Sequence, residues 1–190
     1  MIDITLSHIG GFYWWDDEPG YVEMVKQEGF VVGYIRSMSL HSGTHIDLPM
    51  HVGLSNEGIN IQDIYRVYIV NIDTILEDIP GDVEGVLIKT GQGNLIKEGK
   101  IGKDYKALSS TETRYLLNSN MRLVGIDAPS IEPYMGDGSI HKSFLSRSIV
   151  ILENIFLEGV EPGFYDLYLS VLHIPFDVDA LPTVAKLKIV

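Results

Sequence analysis

The sequence predicts one strand-rich domain of mixed α/β or α+β class. With 190 residues, the chain has the length of a single ordinary domain. Six segments rich in Val, Ile, Leu and Tyr are mostly bounded by Gly, Pro, Asn or Asp, which is typical of strands. No internal repeat or linker-like change in composition interrupts the chain. We therefore expect one domain over residues 1–190 with at least six strands.

The predicted strands are spread along most of the chain. They are residues 30–36, 65–72, 85–89, 123–126, 148–152 and 165–174. Their β-branched and aromatic residues fit a pleated, buried surface.

Helices are predicted at three places. The strongest prediction covers 110–120, where Ser109 or Ser110 can cap the first turn and an acid follows near the third position. Weaker patterns predict a helix at 19–28 and a short helix after residue 60, where apolar residues recur at helical spacing.

The charge of the chain argues against two classes of partner. Fourteen Lys and Arg against 26 Asp and Glu give a formal charge of −12, which repels nucleic-acid phosphates and anionic lipid headgroups. No apolar run approaches the ~18 residues that a membrane span requires. Residues 1–6 contain an acid where a secretory signal carries basic residues, and no cleavage site follows. We expect a cytoplasmic protein that binds neither nucleic acid nor membrane.

The absence of cysteine narrows the possible chemistry. With 0 Cys, the chain has no disulfides, thiolate nucleophile, iron–sulfur ligands or Cys-based zinc site. It also has no Gly-x-Ser-x-Gly motif, which excludes a serine esterase of the α/β-hydrolase kind. Any metal must therefore be held by histidine and carboxylate.

Three of the 6 histidines fall within residues 41–51. A glycine and a proline in this stretch argue against a helix and favour a strand end that runs into a loop. In an extended chain His45, Asp47 and His51 alternate onto one face. A bend at the glycine can bring His41 back toward them, so imidazoles and a carboxylate are expected to converge.

This set of side chains fits a divalent transition metal. Neutral imidazole and carboxylate are the ligands that zinc or manganese prefers when no thiolate is present, and the two oxygens of Asp47 can bridge two ions. A single histidine is more often structural, bonded to the backbone. Three histidines and an aspartate at this spacing favour the metal site.

The pattern His-x-Gly-Thr-His-x-Asp-x-Pro-x-His at 41–51 resembles the signature of the cyclase family of metal-dependent hydrolases, which includes bacterial kynurenine formamidases (arylformamidases) and isatin hydrolases. Every fixed position of the signature is present. The resemblance extends over about residues 38–157. Further matching segments lie at 87–91, 123–132, His141 and 151–154.

The resemblance implies a site for two divalent ions per subunit, with zinc favoured and manganese as the alternative. His41, His45 and Asp47 would hold one ion. Asp47 and Glu153 would contact both ions, and His141 would hold the second. Two adjacent ions are a known means of activating water for hydrolysis.

The resemblance also implies an activity. It points to an amidohydrolase that cleaves N-formylkynurenine or a related aryl amide by a metal-activated water, with His51 as the acid/base. The alternatives are hydrolysis or closure of a cyclic amide such as isatin, and a metal-binding homologue without turnover. The expected ligand is a small molecule in each enzymatic case.

The implied fold is a mixed, partly open β-barrel of the swivelling β/β/α kind with flanking helices, in a homodimer or homotetramer. Trp14 and Trp15 would contact a flat substrate, or alternatively form a hydrophobic latch or a subunit contact. The chain departs from the family pattern at Gln92, where many relatives have Trp, and at Val184, where Arg is common. The metal site thus matches the family better than the substrate pocket does.

Overall fold

The structure is a computed structural model that describes residues 1–7, 21–76, 79–175 and 177–190. Its strands are β1 (Ile2–Asp3), β2 (Tyr21–Gln27), β3 (Phe30–Ser37), β4 (His45–Asp47), β5 (Ile64–Asn71), β6 (Gly85–Lys89), β7 (Leu123–Ile126), β8 (Val150–Glu153), β9 (Gly163–Val171) and β10 (Ala180–Ile189). Its helices are α1 (Gly93–Lys97), α2 (Ser110–Leu117) and α3 (Ser139–Leu145), with 3-10 helices at Pro49–Val52 and Ile72–Thr74. No helix in the described ranges is long and apolar enough to cross a membrane.

Eight strands form one mixed sheet in the order β1-β10-β4-β8-β7-β6-β5-β9. The neighbours from β5 through β8 are parallel, and the other pairs are antiparallel. The long strand β10 pairs with β4 through residues 180–182 and with β9 through 183–189. That second pairing closes seven strands into a barrel, which confirms the mixed α/β class and the predicted barrel, here with a closed ring of strand pairs.

Both faces of the central strands are buried. Along β6, Leu87 packs into a cluster made only of strand and loop residues, which fills the barrel. Its neighbours Val86 and Ile88 pack on the opposite face, in a cluster that includes Leu116 of α2 and Phe144 of α3. Alternation along a strand therefore separates a barrel interior from an outer layer under the helices. This two-sided burial explains the continuous apolar runs in the sequence.

The same alternation places the polar residues of β4 and β8 outside the barrel. Ile46 and Leu152 are paired across the two strands and point into the barrel. His45, Asp47 and Glu153 therefore project from the outer face. His45 and Glu153 are direct partners in the ladder, so strand register alone brings them together.

Each of the six strand predictions is confirmed by an overlapping strand, and those at 85–89 and 123–126 have the predicted bounds. The helix prediction at 110–120 is confirmed as α2. Ser109 is its N-cap and forms a reciprocal capping box with Glu112.

Two helix predictions are wrong. From residue 21 onward, the segment 19–28 forms β2, which pairs with β3 as a hairpin. Gly29 at the turn has a φ of 84°, so the chain reverses there and strand pairing replaces the helix. The segment after residue 60 carries no helix and leads directly into β5, where Tyr65 and Val67 are buried on alternate positions.

Candidate active site

A cavity of about 370 Å³ opens on the outer face of the barrel. It lies between the ends of β4 and β8, the 3-10 helix Pro49–Val52, the loop 130–138 and α3. Four of the five histidines in the described ranges line it. Its volume is in the range of small-molecule sites.

Two of these histidines are fixed by hydrogen bonds from their outer nitrogens. His45 Nδ1 donates to the carbonyl oxygen of Gly43 at 2.9 Å, and His141 Nδ1 donates to Glu132 Oε2 at 2.8 Å. The acceptors are a carbonyl and a carboxylate, so each Nδ1 carries the proton. In each neutral ring, the lone pair of Nε2 then faces the centre of the site.

His41 is held in the same way through its other nitrogen. Its Nε2 donates to Asp179 Oδ2 at 3.1 Å, and its Nδ1 faces inward. That Nδ1 lies 3.1 Å from His45 Nε2 and 3.1 Å from Asp47 Oδ1. If both rings are neutral, two imidazole lone pairs at this separation repel each other, and a proton or a metal ion shared by both relieves the repulsion.

Asp47 is the clearest sign that this cluster suits a cation. Both of its carboxylate oxygens are buried and have no hydrogen-bond partner among the residues that the structure describes. Ring nitrogens approach without hydrogen-bond geometry, at 3.3 Å from His45 Nε2 and 3.5 Å from His141 Nε2. A buried, unpaired carboxylate is costly. The donor set of Asp47 and its neighbours therefore fits a divalent metal ion.

Glu153 faces the same centre from β8. Its Oε1 accepts hydrogen bonds from Ile131 N at 2.6 Å and from Ser130 Oγ at 3.1 Å, and lies 3.2 Å from His141 Nε2. Its Oε2 lies 3.5 Å from His45 Nε2. The loop after β7 thus fixes the carboxylate and leaves one oxygen directed at the histidines.

The electrostatics of the cluster favour positive charge. Burial lowers the pKa values of His45 and His141, but nearby carboxylates outweigh it and raise both to about 10. The largest raising contribution comes from Asp47 at His45 and from Glu132 at His141, and Glu153 raises both pKa values further. The histidines in turn hold the pKa of Asp47 well below its usual range, although burial opposes this. A metal ion supplies the charge that protons otherwise supply.

His51 stands at the rim of this cluster. Pro49 begins its 3-10 helix, and Gly53, with φ 75°, ends it. The His51 ring centroid lies 4.5 Å from that of His41 and 5.2 Å from that of His141. Burial lowers its pKa more than the charge of Asp47 raises it. With a third of its side chain exposed, His51 is open to the cavity.

Known proteins share both the sequence and the fold. The chain is 30% identical to the kynurenine formamidase of Bacillus anthracis over 195 residues, covering 92% of this chain and 90% of the relative. The chain belongs to the cyclase family of metal-dependent hydrolases. A kynurenine formamidase of Bacillus cereus is 29% identical over 191 residues, covering 92% of this chain and 84% of the relative. No family model matches the chain.

Solved structures agree with membership in the cyclase family. A structure described as a potential metal-dependent hydrolase with cyclase activity superposes with a TM-score of 0.80 at 26% identity, over 97% of this chain and 96% of that chain. An isatin hydrolase bound to the product analogue thioisatinate superposes with a TM-score of 0.72 at 14% identity, over 97% and 90%. At that identity the likeness concerns the fold alone.

The structure brings together the six cyclase-site residues that the sequence singled out. They are His41, His45, Asp47, His51, His141 and Glu153. The first three offer atoms close enough to hold one ion. The predicted substrate contacts Trp14 and Trp15 lie outside the described residues.

Sequence reasoning missed several residues of this site. Asp179 and Glu132 hold the outer nitrogens of His41 and His141, and neither stands in the histidine motif. Tyr105 and Tyr134 supply aromatic walls of the cavity. The only sequence signal for either residue was its place in a segment compared with the family: Glu132 ends 123–132, and Asp179 begins the segment that contains Val184.

Proposed function

We propose that this protein is an arylformamidase that hydrolyses N-formylkynurenine or a related aryl formamide. The carrying observation is the convergence of three imidazoles and two carboxylates on one point beside His51. The kynurenine formamidase relatives support the choice of substrate. The two tyrosines in the cavity wall support an aromatic substrate, since flat rings stack on such side chains.

The proposal includes two divalent ions, with zinc favoured and manganese as the alternative. His41, His45 and Asp47 would hold one, and Asp47, Glu153 and His141 the other. Five nitrogen and oxygen donors without any thiolate suit either metal. When bound, such ions acidify water and polarise an amide carbonyl.

The chain's own residues then have distinct tasks. His51 accepts a proton from the attacking water as the water oxygen bonds to the formyl carbon. It returns that proton to the aryl nitrogen as the carbon–nitrogen bond breaks, giving a free arylamine and formic acid, which releases its proton to solvent as formate. Ser130 and the backbone of Ile131 keep Glu153 in place during this exchange.

Substitution of His51 tests the assignment. His51→Ala should lower kcat on N-formylkynurenine by about 10²–10⁴-fold, because proton transfer to the leaving amine is lost. Its metal content should stay that of the wild type. His173→Ala is the matched control, since His173 is exposed and lies outside the site. Unchanged turnover in His51→Ala, or a wild-type protein that binds no metal, would contradict the proposal.

Hydrolysis of a cyclic amide is the second candidate, favoured by the isatin hydrolase neighbour's shared fold. A panel of open formamides and cyclic amides, including isatin, separates the two by their kcat/KM values. A protein that retains its metal but turns over no amide, ester or lactone would instead be a binding homologue.

We place the protein in the cytoplasm, in keeping with the sequence expectation, and fractionation of the native cell tests this.

A further inference from the structure

Asp179 lies just before β10, and its carboxylate faces two histidines of the site. Its Oδ2 lies 3.1 Å from His41 Nε2 and 3.9 Å from His51 Nδ1. Its backbone carbonyl accepts a hydrogen bond from Leu48 N at 2.9 Å, and the next residue, Ala180, pairs with Asp47. The strand ladder therefore positions this carboxylate independently of its side-chain contacts.

We propose that Asp179 is a positioning residue that orients both His41 and His51. By accepting a hydrogen bond from His41 Nε2, it holds that ring with Nδ1 toward Asp47. Its negative charge attracts the protonated Nδ1 of His51, which leaves Nε2 of His51 for the substrate. This role rests on the proposed hydrolase function.

The other inner histidines show why such a partner is needed. His45 and His141 each have an oxygen acceptor at the outer nitrogen, and metal-binding histidines are generally oriented by such partners. Asp179 supplies that acceptor for His41, the third ring. It differs from Glu132 because it also lies near His51. Because 47% of the Asp179 side chain is exposed, solvent screens its charge. Its hydrogen bond to His41 therefore contributes more than its long-range electrostatic field.

A competing role is direct metal binding. One atom each from His41, His51 and Asp179 lies within 4.8 Å of the others, so these three could hold an ion themselves. In that case His41 would bind the ion through Nε2 rather than donate a proton to Asp179. The tautomer of His41 and the number of bound ions separate the two roles.

The experiment compares Asp179→Ala, Asp179→Asn and the control Asp177→Asn, an exposed acid in the same loop. Long-range ¹H–¹⁵N spectra of the metal-free protein report the tautomer of His41, and competition with a chelator reports zinc affinity. Asp179→Ala should lose the fixed Nε2–H tautomer and bind zinc about 10–100-fold more weakly. Its kcat on N-formylkynurenine should fall with KM near the wild-type value. Asp179→Asn keeps an acceptor oxygen and should recover part of the affinity.

A wild-type tautomer and wild-type zinc affinity in Asp179→Ala would overturn the proposal. Loss of one equivalent of zinc would also overturn it, because Asp179 would then be a ligand. If the wild-type protein hydrolyses no amide, the proposed function fails, but tautomer and zinc affinity still decide the role of Asp179. Thermal unfolding of both variants, beside Asp177→Asn, checks that the fold is kept.

Discussion

Four acidic side chains are buried in the part of the chain that the structure describes, and their surroundings differ. Asp47, Glu132 and Glu153 all face imidazoles of the site. Asp127, which follows β7, has no imidazole partner. Its Oδ1 accepts a hydrogen bond from Thr90 N at 2.5 Å, and its Oδ2 has no hydrogen-bond partner among the described residues. Burial therefore raises the pKa of Asp127 to about 7, although the hydrogen bonds from Thr90 oppose this.

This shift predicts a pH dependence of stability. The pKa of Asp127 is near 4 in the unfolded chain and about 7 in the folded protein, so the folded state binds the proton more tightly. The free energy of unfolding therefore falls as the pH rises from about 4 to about 7. Asp127→Asn keeps the acceptor oxygen without the charge. The variant should therefore lose much less stability as the pH rises, and it should be more stable than the wild type at pH 8. Since one pKa unit corresponds to about 1.4 kcal/mol, the gain should be a few kcal/mol at most.

Urea unfolding at pH 5 and pH 8 measures the difference. Because the histidine site titrates in both proteins, its contribution cancels when the variant is compared with the wild type. Asp82→Asn, at an exposed acid, is the control and should follow the wild type at both pH values. Equal pH dependence in Asp127→Asn and the wild type would show that Asp127 is ionised without cost.

At the residue scale, the sequence predicted the site residues that lie within one motif. It missed site residues that are distant in sequence and that only the fold places next to that motif. The 41–51 stretch carries its own chemistry, because residue types and local spacing suffice to suggest a metal site. Asp179 is 138 positions away from its partner His41. Only the β4–β10 register brings it there. Local patterns carry no information about such pairings.

At the scale of elements, β4 shows why short strands escape prediction. It has three residues, two of them polar, and has no apolar run of its own. It forms because β8 and β10 pair with it on both sides. Strand β2 was missed for a related reason, since its pairing with the predicted strand β3 and the turn at Gly29 outweigh a weak helical pattern. By contrast, α2 was predictable because its capping box is local.

That capping box gives a prediction at the scale of the element. Ser109 Oγ accepts from Glu112 N, and Glu112 Oε2 accepts from Ser109 N at 2.6 Å. Ser109→Ala should destabilise the protein by about 1 kcal/mol, because the backbone N–H of Glu112 in the first turn of α2 loses its acceptor. Ser110→Ala, at the exposed neighbour, should change stability much less.

Thermal melting of the two variants gives the measurement. Amidase kcat should be unchanged in both, since α2 contributes no residue that lines the cavity. Equal melting temperatures for Ser109→Ala and Ser110→Ala would show that the cap is not significant for folding.

At the scale of the whole molecule, closure of the barrel determines where the site can lie. The interior is filled by aliphatic side chains together with Tyr65 and Tyr165, so the polar cluster stands on the outside, where helix α3 and the loops cover it. Part of the net charge of −12 is concentrated in this cluster, because Asp47 and Glu153 both lie in it. Two divalent ions would reduce it to −8.

The hairpin leads to the last prediction, which concerns self-association. β2 and β3 pair with each other in a sheet separate from the barrel, and an isolated hairpin is marginally stable in water. It exposes Met24 by 63%, Val31 by 53% and Ile35 by 58%. Ile35 also borders an apolar groove with Val171 and Leu172. We expect a second copy of the chain to cover this surface, giving a homodimer or homotetramer.

Replacing Ile35 with lysine places a charge in the middle of that surface. Ile35→Lys should shift the protein toward monomer in sedimentation velocity, because the contact between copies would have to bury an unpaired ammonium group. Leu95→Lys makes a comparable change at an exposed apolar residue of α1 and should leave the assembly intact. A wild-type protein that sediments as a monomer, or an Ile35→Lys variant that assembles normally, would contradict the hairpin as the interface. A tetramer that dissociates to dimers would place one of its two contacts there.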